Sequence, residues 1–287
     1  MPYAVINGIN IRYEVRGSGA PLLMMAPGGF DSTIEKWTTS GIWASMKPLE
    51  TLTSRYTCIA YDRREAGLSG GRVERVSWTT YAHEAKGLLD VLGISRAFVM
   101  GGCMGCSTAT AFGVTYPEAT LGLVLHWPVG GVRWRLNGLA RFQAHVDFVK
   151  ENGLDAVVEL ARKSGGFWAE PKSGPWASTI CADESFADSF AGQDQARYLA
   201  MVALMGQMLF DRDTATGPEP IELLALRVPS VIIPGADAAH ATSAARYLQE
   251  CLEGSSYHDV PVEQQTPDAV RQWIIEFMES NAVVAAT

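Results

Sequence analysis

Short apolar runs alternating with helical patterns constrain this chain more than any other feature. Strand-length runs stand at about 22–26, 56–61, 96–101, 121–126 and 229–234, and helical patterns fit between them. An apolar run of that length reads as a strand buried on both faces, and a helix between two such runs reads as a crossover, so the pattern calls for a largely parallel sheet. Two opening strands, about 3–7 and 9–16, meet at Asn7-Gly8, a two-residue hairpin signal, and a last strand is expected near 256–262. That makes an α/β chain with a mostly parallel eight-stranded sheet flanked by helices.

The helices carry their own punctuation. One is expected from about 80 to 92, with Ala82, Ala85, Leu88, Leu89 and Leu92 on one stripe and Gly93 as its stop. Another starts just after Cys103 and ends before Pro117, and later ones cover about 242–252 and 268–278. From about 129 to 219 the rhythm changes: helical patterns at 137–151, 153–163 and 194–210 are separated by Gly/Pro/Ser-rich pieces. This stretch, 129–219, is expected to be an inserted helical lid, with 1–128 and 220–287 forming one core. The segment 198–210 is apolar nearly all round, which places it in a buried position between lid and core.

Composition narrows the function classes. Of 287 residues, 31 are acidic and 23 basic, giving a formal charge of −8, so no general attraction to nucleic acid or to an anionic membrane is expected. Apolar residues at 47% and charged residues at 19% rule out a disordered chain. No apolar run approaches the roughly 20 residues that span a bilayer. The N-terminus reads at once as strand, without the basic patch and apolar run of a signal peptide. Five cysteines, an odd number, argue for reduced thiols. The expectation is a cytoplasmic protein acting on a small molecule, its oligomeric state open between monomer and homodimer.

Chemistry concentrates at Val99-Met-Gly-Gly-Cys103-Met-Gly-Cys106, between a buried strand and a helix. It reads Gly-x-Cys-x-Gly. A nucleophile on a sharp strand-to-helix turn occupies strained backbone space and needs small residues two positions either side; Gly101 and Gly105 fill those places. The helix N-terminus then favours a thiolate at Cys103. Two other readings exist: a buried small hydrophobe, or a redox dithiol Cys103-x-x-Cys106. Redox chemistry does not require the flanking glycines, and no second pair of ligands stands at zinc spacing.

In these features the chain resembles the α/β-hydrolase fold family, with cysteine in place of the commoner serine. The resemblance extends over nearly the whole chain. It includes the opening hairpin, the loop Ala26-Pro27-Gly28-Gly29-Phe30 after the third strand, Asp62 to Ser69 after the fourth, and Pro234-Gly235-Ala236-Asp237 after the seventh, where the family carries its acid. It implies an oxyanion hole from the backbone N–H of Met104 and that of Gly29, with Phe30 as the near alternative. Asp62 and Arg64 are read as holding the fourth-strand turn.

The family's base follows the last strand, where this chain has Glu263-Gln-Gln-Thr-Pro267 and no histidine. Of the five histidines, His83 and His145 sit on amphipathic helices and receive no role. His258, about four residues down the last strand, would lie about 13 Å below the site. His240, three residues after Asp237, stands on the right rim and is read as the base, with Asp237 either orienting the imidazole or capping the next helix. His126, at the top of the sixth strand, is the rival base and otherwise lines the pocket. Phe30, Trp127, Trp134, Trp168 and Met205 are expected to form an apolar pocket.

The reading is covalent acyl transfer to water at Cys103, on an ester, thioester or lactone of a small apolar substrate, needing no organic cofactor and no metal. Non-hydrolytic acyl transfer, or carbon–carbon cleavage, could use the same site. A small-molecule sensor on a hydrolase scaffold is the alternative from another class.

Overall fold

The computed structural model describes residues 2–282. Eight strands form one sheet: β1 (Tyr3–Ile6), β2 (Ile9–Arg16), β3 (Ala20–Met25), β4 (Tyr56–Tyr61), β5 (Ala97–Gly102), β6 (Thr120–His126), β7 (Ser230–Ile233) and β8 (Ser256–Tyr257). Their spatial order is β1-β2-β4-β3-β5-β6-β7-β8. The β1–β2 hairpin is antiparallel and β2 pairs antiparallel with β4; every pairing from β4 to β8 is parallel. Asn7 and Gly8 both take positive φ at the hairpin, as a tight two-residue turn with right-handed strand twist demands.

The helices between β3 and β4 are short: α1 (Lys36–Thr39), α2 (Gly41–Met46) and α3 (Pro48–Thr51). Then come α4 (Trp78–Val91) and α5 (Gly105–Thr115), on either side of β5 in the chain. Ser77 caps α4 in a reciprocal capping box with Thr80, which starts it two residues before the apolar stripe suggested. Between β6 and β7 lie α6 (Val132–Ala161), α7 (Ala177–Ala182), α8 (Glu184–Ala191), α9 (Gln195–Leu209) and α10 (Pro220–Ala225); α11 (Thr242–Cys251) and α12 (Pro267–Ala282) complete the chain.

Several boundaries differ from expectation. The first helix after β6 begins at Val132 rather than 137; its break at Gly153, where φ is 81°, falls where the patterns 137–151 and 153–163 part. The last strand has two residues, not seven: Pro261 follows closely, lacks an N–H for a ladder, and opens a 3-10 turn instead. His258 therefore lies just past β8, where its ring stacks on Trp273 of α12 at 4.3 Å.

Two apolar layers enclose the sheet. One face carries Leu23, Val99, Leu123 and Leu125 under α4, α5 and the helices that follow β6. The other carries Leu22, Met24, Phe98, Met100 and Val124 under α2 and α12. Alternate residues of β3, β5 and β6 serve opposite layers, so these strands read as continuous apolar runs.

The turn after β4 is held by ionic side chains inside this packing. Asp62, fully buried, accepts the N–H groups of Ile34 and Leu68, each at 2.9 Å, and pairs with Arg12 at 3.0 Å. Arg64 donates to Glu65 at 2.7 Å and to Glu74 at 2.6 Å. Both residues do the structural work expected of them.

Candidate active site

β5 ends in a strained turn. Cys103 has φ of 56°, a left-handed conformation that costs an L-residue about 1–2 kcal/mol. The turn is possible because its flanks are bare: a Cβ on Gly101 would lie 2.5 Å from Gly105 backbone atoms, and one on Gly105 would lie 2.1 Å from Met25 O. The end of β5 and the start of α5 are thus pressed against each other and against the end of β3. Cys103 N–H donates to His126 O at 3.2 Å, tying the turn to β6. Its side chain is half-buried at the C-terminal edge of the sheet, one residue before the N-cap of α5.

His240 meets it from the loop after β7. Its Nδ1 lies 2.9 Å from both carboxylate oxygens of Asp237, while its buried Nε2 has no hydrogen-bond partner among the described residues, with Cys103 near enough to act on the ring's charge. Burial alone would lower the imidazole pKa. Hydrogen bonding and charge from Cys103, then from Asp237, outweigh burial and push it up to about 9. For Asp237, burial works upward, but the His240 imidazolium and the N–H groups of Ala239 and His240 hold the carboxyl below its usual range. Asp237 does not cap α11, which has Ala241 at its N-cap. It caps its own turn, accepting the N–H groups of Ala239 and His240 at 2.8 and 2.9 Å while holding the ring.

His126 has a different environment. Its ring is fully buried, with neither nitrogen partnered among the described residues, and burial followed by the charge of His240 pushes its pKa down to about 3. A ring that stays neutral at every working pH is a poor proton acceptor for a thiol. Cys106 is also buried, its thiol donating to Gly101 O at 3.2 Å, and burial raises its pKa well above the ordinary value. A thiol held in its protonated form does not suit a redox dithiol.

The loop that follows β3, whose last residue Met25 presses on Gly105, carries Gly29 with φ of 57°. Phe30, expected in the pocket, is instead fully buried: its ring packs edge-on against Phe142 and Phe167 at 5.8 and 5.3 Å. Trp168 covers Gly29 closely, and stacks on Trp134 at 5.8 Å. Met205 is fully buried within α9, and Trp127 lies 5.5 Å from the His240 ring.

Sequence reading missed two members of this neighbourhood. Trp43 of α2 packs edge-on against His126 and His240, at 5.5 and 6.2 Å, and touches Gly102. Gln265, in the loop where the resemblance would place a base, is buried; it accepts from Trp127 Nε1 at 2.9 Å and donates to Pro234 O at 2.8 Å. It fixes the His240 loop from behind. Nothing in the local sequence of either residue signals these contacts, most of which bridge distant parts of the chain, as in the 138 positions between Trp127 and Gln265. The open surface grooves of about 240 Å³ beside Arg212 and about 630 Å³ beside Leu68 lie elsewhere. Among the described residues no cluster of side chains suits a metal ion, and no helix is long and apolar enough to cross a membrane.

Residues 21–156 match a family model described as alpha/beta hydrolase fold. A segment covering 45% of this chain is 29% identical to the dihydrolipoyllysine-residue acetyltransferase component of the acetoin cleaving system of Cupriavidus necator, of which it covers 32%. A segment covering 54% is 26% identical to an uncharacterized hydrolase of Bacillus subtilis, of which it covers 54%. The chain thus spans about half the length, or less, of these curated relatives. Over 97% of its length it superposes on the whole chain of an enol-lactonase from Burkholderia xenovorans, with a TM-score of 0.60 at 20% identity.

Proposed function

We propose that this chain, whose fold is that of the α/β hydrolases, is a hydrolase that works through an acyl-cysteine at Cys103. The observation that carries this reading is the set Cys103, His240, Asp237: an elbow thiol near enough to raise the pKa of an imidazole whose Nδ1 is held by a carboxylate. Thiolate attack on a carbonyl carbon moves the π electrons onto oxygen, where the N–H groups of Met104 and Gly29 receive the negative charge. Collapse re-forms the carbonyl and expels an alkoxide or thiolate, which takes the proton from His240. Neutral His240 then draws a proton from water as the hydroxyl oxygen attacks the acyl-cysteine; collapse releases the acid and restores the thiolate–imidazolium pair. Esters, thioesters and lactones of small organic molecules fit this sequence.

The orphaned Nε2 of His240 favours catalysis over a purely sensing role, because a binding scaffold has no use for an unpartnered buried nitrogen on a charged ring held near a thiol. Intact-mass spectrometry after mixing with p-nitrophenyl acetate tests the reading: one acetyl adduct on wild type, none on Cys103→Ala, and loss of turnover in that variant with its melting temperature kept. Full activity in Cys103→Ala would refute it. His240→Ala should slow acylation by about 10²-fold or more, or trap the adduct if its main duty is in the second step, and His126→Ala should leave acylation of this small ester unchanged.

A further inference from the structure

The Trp168 indole N–H is a buried donor with no protein acceptor among the described residues, and it lies against the glycine of the candidate oxyanion hole. A Cβ built on Gly29 would sit 2.6 Å from Trp168 Nε1 and 2.6 Å from Cζ2, so the N–H edge of the ring rests directly on this loop. The ring cannot turn away to find another partner. Its face stacks on Trp134, Arg141 lies 4.9 Å over it, and the same guanidinium holds Phe167 O and Trp168 O at 3.3 and 2.7 Å. Phe167, next in the chain, is locked between Phe30 and Phe142 at 5.3 and 5.2 Å. An unpartnered buried donor costs about 1–3 kcal/mol, and a phenylalanine would fill this place without that cost.

We propose that Trp168 is a catalytic residue: its indole N–H donates to the substrate oxygen bound beside Gly29. This rests on the acyl-cysteine reading above. In the addition step the carbonyl oxygen gains the electron pair of the breaking π bond, and the indole N–H shares the resulting charge with the two backbone donors while keeping its own proton. Because the donor comes from the segment between β6 and β7 and not from the sheet, the hole is complete only when that segment is seated on the Gly29 loop. The oxygen it serves belongs to any acyl substrate, so the residue acts on rate before it acts on substrate choice.

Trp168→Phe keeps the stacking and removes the donor. With a matched pair of substrates, an aryl ester and its thionoester, the rate ratio of oxygen to sulfur compound reports donation to that atom, because thiocarbonyl sulfur is the weaker acceptor. In Trp168→Phe the kcat/KM for the ester should fall about 10-fold or more, carried by kcat, and the oxygen-to-sulfur ratio should fall with it. Trp168→His, which restores an N–H, should recover part of the ratio. An unchanged ratio in Trp168→Phe, whatever the absolute rates, overturns the proposal, since lost packing would slow both substrates alike. The Cys103 adduct in wild type, read by intact mass in the same experiment, tests the underlying reading separately.

Discussion

A histidine whose pKa is pushed up to about 9 holds its proton at neutral pH, and this sets where the alkaline limb of the proposed activity should fall. As pH rises through about 9, His240 loses the proton that the leaving group needs in the proposed reaction, so kcat/KM should fall on that side. Asp237→Asn removes one of the two groups that raise the imidazole pKa, and the alkaline limb should move to lower pH in a pH–rate profile; an unmoved limb would separate Asp237 from the base. The same shift has a stability sign. A folded pKa above the unfolded value near 6.5 gives stabilisation fully present below about pH 6.5 and lost as pH rises through about 9. Cys103 itself carries backbone strain, with φ of 56°, so Cys103→Gly should raise unfolding free energy by about 1 kcal/mol in urea titration while abolishing acylation.

Among the elements, β5, its turn and α5 act as one piece. Their contact leaves no room for a side chain: an alanine Cβ at position 105 would come within 2.1 Å of Met25 O and 3.1 Å of Ala26 O, both backbone atoms of the strand end that leads into the Gly29 loop. Gly105→Ala should therefore cost about 3 kcal/mol or more in denaturant unfolding and displace the Gly29 loop as well. Cys103→Ala, with no such clash, should unfold like wild type. Equal stability of the two variants would mean that the elbow tolerates a separation of β3 from α5. The Gly101 half of the motif was readable because its exclusion by Gly105 backbone is local and leaves a local trace, whereas the pressure on Gly105 comes from β3, distant in the chain.

At the scale of the whole molecule, charges buried beneath the β4 turn couple the fold to pH. Glu84, fully enclosed, is pushed up to about 8, first by burial and then by the neighbouring Glu65, against the pull of the Arg64 N–H and of Arg64 and Arg63. Glu65 is likewise raised, by burial, and holds a left-handed φ of 66°. A carboxyl with a folded pKa above its unfolded one stabilises fully below the unfolded value and loses that contribution as pH rises through the folded one. Thermal unfolding should thus show stability from this group declining between about pH 4.5 and about pH 8. Glu84→Gln, which can still accept the Arg64 N–H, should flatten that slope; an unaltered slope would mean the decline has another source.

The parallel sheet, the hairpin at Asn7-Gly8 and the elbow at Gly101 to Gly105 were determined by the sequence itself, because strand burial, tight-turn geometry and steric exclusion act over a few residues. So was the neighbourhood of Asp237 and His240, three positions apart in one turn. The sequence already preferred His240 to His126 from its place three residues after Asp237, and the structure adds a difference of environment: one ring is pushed up by a thiol and a carboxylate, the other down by enclosure. Phe30 was legible as a residue of the Gly29 loop, yet only packing decided that its ring belongs to the core with Phe142 and Phe167. Trp43, Gln265 and the clasp of Trp168 on Gly29 come from segments far apart in the chain. Contacts of that kind depend on how independently folded elements dock, and docking is settled by shape and burial over the whole surface, which no local pattern records.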